Sequence, residues 1–310
     1  MRKPKILLCS DVKNWAWAKK CTEIQTHLSD EFHIEIIHLL ETRTGIRQGD
    51  FDLYLTFGWS YVSHTRLAPR NRCISGMTAH KGKGFLTTNI IPAMKKVDWH
   101  HANSILLKNE LEKYDIENVF YVPNGVNEDI FRPVVPIKPQ RSNLVALHVG
   151  KKCGHESDVK GQKRFIEPSC EQAGIKYIGH YNNYKTALTT QEMVSLYQQA
   201  DVFLVSSETD GTPCGALEAA ACGRPIISNA IGNMPEFIKD GYNGFLVPRV
   251  VDAYVEKLKY LKENRDKLIE MGNNARKTVE EGWTWKIQAE NYRKMFQTIL
   301  NKVGLREGVK

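Results

Sequence analysis

The sequence predicts an α/β protein built from two doubly wound parallel-sheet domains with a ligand cleft between them. Three observations carry this expectation. Short apolar runs of strand length alternate with segments of helical spacing. The alternation pauses once, across 131–140, where Pro133, Pro136 and Pro139 fall together with little periodicity. The same pattern then restarts, and 310 residues suit two such domains better than one.

In the first half, residues 6–9 read as a buried strand. Residues 13–29 have helical spacing, with Trp17, Cys21, Ile24 and Leu28 on one face. Residues 33–39 alternate as a strand does, and 51–57 and 72–75 are further short strands. Ser104 is placed to cap a helix running to Tyr114. A strand at 119–122 then ends in the turn Pro123-Asn124-Gly125.

The second half opens with a buried strand at 143–149, stopped by Gly150. Strands are expected at 177–178, 201–205, 225–228 and 245–247, and helices at 191–199, 212–222, 251–263, 266–280 and 285–301. The resulting division is a first domain at 1–132, a linker at 133–142 and a second domain at 143–284. A last helix, within 285–310, is expected to pack back on the first domain.

Hydrophobic residues form 42% of the chain and charged residues 25%, so a packed core is expected and disorder is not. The seven cysteines are irregularly spaced with no C-x-x-C pair, which points to reduced thiols rather than a disulfide framework. Cys153 and His155 are too few to make a metal site, and none is expected. The apolar run after Met1 is too short for a signal peptide, and no run approaches the roughly 20 apolar residues that span a bilayer. The expected location is the cytoplasm, at most peripheral to a membrane.

The net charge of +8 suggests an anionic partner. Between Trp59 and Lys108, the residues Arg66, Arg70, Arg72, Lys81, Lys83, Lys95, Lys96 and Lys108 face Asp98 alone, and His64, His80, His100 and His101 share the stretch. It is either a solvated basic face or a surface for an anionic acceptor.

The most informative segment runs from Ser206 to Pro225 and reads as strand, loop, helix, strand. Thr212 suits an N-cap, Pro213 the first helical position and Gly223 the left-handed stop. The N-terminus of such a helix presents backbone N–H groups and the positive end of a dipole, which bind phosphate. Gly211 and Gly215 let a ligand approach the backbone. Asp210 lies just before the helix and Glu218 two turns into it, where they can accept hydrogen bonds from sugar hydroxyls. Taken alone, the segment is equally an ordinary capped helix.

The segment resembles the signature of the retaining GT-B glycosyltransferases, group 1 (glycosyltransferase family 4). Two carboxylates separated by seven residues, Asp210 and Glu218, precede Cys222-Gly223-Arg224-Pro225-Ile226-Ile227. Gly232, Pro235-Glu236, Asp240-Gly241 and Asn243-Gly244-Phe245-Leu246-Val247 continue in the family's order. Val122-Pro123-Asn124-Gly125-Val126, Phe131-Arg132-Pro133, His148-Val149-Gly150-Lys151-Lys152 and Lys160-Gly161 are similar to its other segments, so the resemblance covers about residues 70–300.

The resemblance implies the GT-B fold of two Rossmann-like domains and a nucleotide-diphosphate sugar as donor substrate, with no metal or other cofactor. It implies that Glu218 binds the ribose hydroxyls and that Asp210 sits by the transferred sugar. The backbone of Gly211, Thr212, Pro213, Cys214 and Gly215 would lie against sugar and phosphates. Lys160, with Lys151 or Lys152, would neutralise the diphosphate, and His80 would stand near sugar or acceptor. Asp210, His80 and Lys160 are thus the catalytic candidates, and Trp15, Trp17, Arg66, Arg70, Arg72, Lys81 and Lys83 the acceptor-side candidates.

Three departures stand out. Asp210 replaces the family's usual Glu, Lys151 and Lys152 stand where Arg is common, and the glycine-rich turn after the first strand is absent. Trp15 and Trp17 in that region either stack on a sugar or pack the helix onto its domain. His80 is either a satisfied structural histidine or a ligand-facing one. The expected activity is sugar transfer from a UDP-sugar to a glycan or lipid-linked sugar with retention. The alternatives are transfer to hydroxylated bases of DNA and an inactive nucleotide-sugar-binding scaffold.

Overall fold

The computed structural model describes residues 2–13, 15–41, 51–60, 68–79, 85–133, 143–151, 158–182 and 188–305. The chain divides into two compact units, residues 1–124 with 285–310, and residues 125–284. Each is built on a parallel sheet.

In the first unit, strands β1 (Lys5–Ser10), β2 (His33–His38), β3 (Leu53–Thr56), β4 (Cys73–Met77), β5 (Trp99–Ala102) and β6 (Val119–Tyr121) form one sheet in the order β2-β1-β3-β4-β5-β6. All described pairs are parallel. The helix Ala16–Leu28 covers one face through Cys21, Ile24 and Leu28, all fully buried. Ser104 caps the helix Ile105–Glu112 by accepting a hydrogen bond from the Leu107 N–H at 3.2 Å. That helix ends at Glu112, two residues earlier than expected, and Asp115 follows at φ 56.

Strand β5 was not anticipated, and it corrects the reading of the basic stretch. His100 and His101 are strand residues rather than surface cations, 4% and 0% exposed. Burial holds their imidazoles down to about 4 and about 3, so both are neutral at pH 7. The neighbouring cations are partly neutralised as well. Arg70 Nε lies 2.5 Å from Asp98 and Lys108 Nζ 2.6 Å from Glu112.

The helix Trp285–Lys302 belongs to the first unit. Trp285, Gln288, Ala289, Tyr292, Met295, Phe296, Ile299 and Leu300 recur at helical spacing and are all buried. Phe296 meets Phe32 edge-on at 5.7 Å, and Arg293 Nη1 donates to Glu31 at 2.7 Å.

The second unit orders β7 (Val145–Lys151), β8 (Lys176–Asn182), β9 (Val202–Val205), β10 (Ile226–Ser228) and β11 (Gly244–Leu246) as β11-β10-β9-β7-β8, again parallel. It begins at Gly125, so the boundary falls earlier than the expected 132. The physical reason lies in three contacts. Val126 bridges to Thr284, Phe131 packs edge-on against Tyr197 at 6.0 Å, and Arg276 Nη1 donates to the carbonyls of Glu128 and Phe131. The core of this unit therefore claims residues 126–131. Most of the expected linker, 134–142, lies outside the described residues. Among the described residues the cysteines form no disulfide, and no helix is long and apolar enough to cross a membrane.

Candidate active site

Strand β7 has β8 on one side and β9 on the other, so the direction in which strands are added reverses beside it. The carboxyl ends of β7 and β9 therefore flank the crevice where open α/β sheets bind ligands. The segments beyond β7, β9 and β10 carry most of the expected donor-side residues.

The loop after β7 delivers Lys160 and Gly161. Gly161 is left-handed at φ 68, and a Cβ there would collide with the Ser206 side chain and carbonyl. This close approach joins the β7 loop to the β9 loop. Ser206 Oγ donates to the Lys160 carbonyl at 2.9 Å, and the Glu208 N–H donates to the Val159 carbonyl at 2.7 Å. Arg249 closes the arrangement by donating from Nε to the Ser206 carbonyl at 2.8 Å while its guanidinium lies over the Phe165 ring, 4.6 Å from the centroid.

The fixed loops bring the two central candidates together. Lys160 Nζ lies 2.5 Å from Asp210 Oδ2, with both side chains partly buried. Asp210 Oδ1 also accepts from the Gly211 N–H at 3.1 Å. The residues beyond β10 support the same loop from below. Asn229 Nδ2 donates to the Ser207 carbonyl at 2.9 Å, and the Asn233 N–H donates to the Gly211 carbonyl at 3.0 Å. Gly232 is left-handed at φ 54, and a Cβ there would strike the Gly211 carbonyl. We expect Gly232→Ala to cost at least about 2 kcal/mol, from left-handed strain plus overpacking. Urea denaturation measures this.

His148, on β7, underlies the site. Its Nδ1–H donates to the Leu204 carbonyl at 2.9 Å, and its ring stacks near Phe203. Burial, helped by the Lys160 charge, lowers its pKa to about 4 despite that hydrogen bond. The unfolded chain takes up this proton near the ordinary value of 6.5, the folded chain only near 4. Between those values the unfolded state binds more protons, so stability falls as pH drops through the window. Denaturation at pH 7.5 and pH 5 should show this loss, and His148→Gln should reduce it.

The helix expected at 212–222 spans Cys214–Ala221. Thr212 is not its cap: Pro213 is, with ψ 82 and no side-chain cap bond. Proline has no N–H and sits here at the non-helical cap position, so Gly211, Thr212 and Pro213 lead into the helix from outside it. Cys214, the first helical residue, is exposed. Gly215 admits no side chain easily, since a Cβ would stand 3.0 Å from Phe203 and 3.2 Å from the Tyr197 hydroxyl. Glu218 lies on the helix's half-buried face, and its Oε2 accepts a 2.5 Å hydrogen bond from Tyr197.

Tyr197 was missed from sequence. The available signal was a tyrosine on the apolar face of the helix Thr190–Gln198, whose buried hydroxyl needs a partner. Of the other candidates, Lys151 ends β7, while Lys152, His80, Lys81, Lys83 and Arg66 lie outside the described residues. Trp15, Trp17, Arg70 and Arg72 belong to the first unit. Trp17 packs on the core beside Phe57, with centroids 6.4 Å apart, and Arg70 is held by Asp98. Arg72 ends the short turn that leads into β4.

The segment holding this geometry matches a known family. Residues 161–278 match the model described as glycosyl transferases group 1. This stretch is a group 1 glycosyl transferase domain. Over 128 residues, 41% of the chain, the protein is 34% identical to the trehalose synthase of Thermococcus litoralis, and the match covers 31% of that relative's length. The chain thus spans about a third of this curated relative. Among solved structures, sucrose-phosphate synthase from Thermosynechococcus elongatus superposes with a TM-score of 0.72 at 15% identity, covering 97% of this chain and 100% of the other. Anabaena HepE in complex with UDP and glucose superposes with a TM-score of 0.70 at 14% identity, covering 95% and 100%. The group 1 domain accordingly sits in a chain of GT-B fold, two parallel-sheet α/β domains.

Proposed function

We propose that this protein is a glycosyltransferase that moves a sugar from a nucleotide-diphosphate sugar, UDP-sugar first, to a hydroxyl of a glycan or lipid-linked sugar. It does so with retention of configuration and without a metal. The observation that supports this best is the Lys160–Asp210 pair, 2.5 Å apart beside the glycine-containing lead of the helix Cys214–Ala221. It lies at the carboxyl ends of β7 and β9, where a diphosphate meets both a cation and a helix N-terminus.

In this reading the donor's diphosphate takes Lys160 from Asp210, and Asp210 turns to the hydroxyls of the sugar. The bond between the anomeric carbon and the diphosphate breaks, and both electrons leave with the phosphate oxygen. Lys160 and the helix terminus stabilise the charge that develops there. The acceptor hydroxyl attacks from the same face and passes its proton to the departing phosphate, so no dedicated protein base is needed. Glu218, further along the helix, receives the ribose hydroxyls. The UDP and glucose held by the HepE structure favour UDP as the nucleotide.

Incubation with UDP-glucose and a panel of glycan and lipid-linked sugar acceptors in EDTA, followed by NMR of the product's anomeric proton, tests this reading. An α-linked product is expected. A β-linked product contradicts retention, and activity restored only by a divalent cation contradicts metal independence.

A further inference from the structure

We propose that Tyr197 is a positioning residue for nucleotide recognition: its hydroxyl fixes the Glu218 carboxylate to receive the ribose diol, and so sets the preference for ribonucleotide over deoxyribonucleotide. The inference rests on the reading of Glu218 as the ribose acceptor.

The geometry leaves Tyr197 little freedom. Its helix, Thr190–Gln198, starts in a capping box in which the Thr189 and Glu192 side chains bond each other's backbone N–H groups. Its ring is fully buried between Phe131 and Phe203, with centroids 6.0 and 5.9 Å away. The hydroxyl passes beneath the first turn of the next helix, 3.2 Å from where a Cβ on Gly215 would stand. It then donates to Glu218 Oε2 at 2.5 Å. Burial, reinforced by the Glu218 charge, raises the hydroxyl's pKa well above its ordinary value, so it stays protonated and always donates.

A carboxylate offers about four lone-pair directions, and a vicinal diol is best met by both oxygens in one plane. A rigid donor on Oε2 sets the rotation of the group about its last bond. Two hydroxyls of a ribose then meet a prepared plane, whereas a deoxyribose uses only part of it. Removing the tyrosine hydroxyl releases that rotation while the ring still fills its site.

Calorimetry with UDP, GDP and ADP, and with the 2′-deoxy and 3′-deoxy forms of whichever binds, tests this on the full chain. The wild type is expected to prefer the ribonucleotide, and Tyr197→Phe to lower that ratio by about tenfold, the scale of one hydrogen bond to a charged group. Gly215→Ala provides a second variant: its methyl crowds the hydroxyl off Glu218, and the same fall is expected. A merely structural role would weaken ribo and deoxy forms equally. An unchanged ratio in both folded variants overturns the proposal and leaves the ribose reading standing. A wild type that binds a diphosphate without ribose preference, or binds none, overturns the ribose reading and this proposal with it.

Discussion

Lys160→Ala is expected to lower the rate of sugar transfer by about 10²–10³, the range found when one preorganised donor is removed from a developing anion. Lys160 Nζ is held 2.5 Å from Asp210 by a loop that Gly161 and Ser206 pin in place. The loop places the ammonium beside the diphosphate, which then takes it from Asp210 before the bond breaks. Lys160→Arg keeps the charge but not the point geometry, and should recover part of the loss. Single-turnover kinetics with saturating donor separates this effect from binding. The same substitution leaves Asp210 without its cation, so the variant's folding is checked by thermal denaturation.

Glu218→Ala is expected to act on affinity instead. Losing hydrogen bonds from ribose to a charged group costs about 1.5–3 kcal/mol, or roughly 10- to 100-fold in nucleotide affinity. The side chain is half-buried on the helix Cys214–Ala221, and its loss also strips the Tyr197 hydroxyl of its Oε2 partner. The affinity should fall for diphosphate and diphosphate-sugar alike, because ribose is common to both. A loss confined to the sugar-bearing donor would move Glu218 to the sugar instead.

The sequence exposed those parts of the fold in which local pattern and tertiary role agree. Strand β1, the apolar start of β7 and the amphipathic helix Trp285–Lys302 were legible for that reason. Strand β5 was not, because Trp99-His100-His101-Ala102 looks polar and only burial within the sheet makes it a core strand. The segment from Leu86 to Met94 was also missed: its helix opens with a π-turn across Thr87, Thr88 and Asn89 and continues through Pro92. At the site, the spacing of Asp210 and Glu218 carried the family resemblance. The pairing of Lys160 with Asp210 and of Tyr197 with Glu218 could not be read, since each joins residues 50 and 21 positions apart. The cap at Thr212 failed for a local reason: Pro213 took a non-helical ψ of 82 and moved the helix start to Cys214.

The central claim is that the second unit binds a nucleotide-sugar through Lys160 and Glu218. Thermal denaturation of the wild type, Lys160→Ala and Glu218→Ala against UDP-, GDP- and ADP-sugars in EDTA tests it most directly. The expected result is stabilisation of the wild type by one donor series, reduced in both variants. Equal stabilisation of all three proteins, or none of the wild type by any donor, would contradict it.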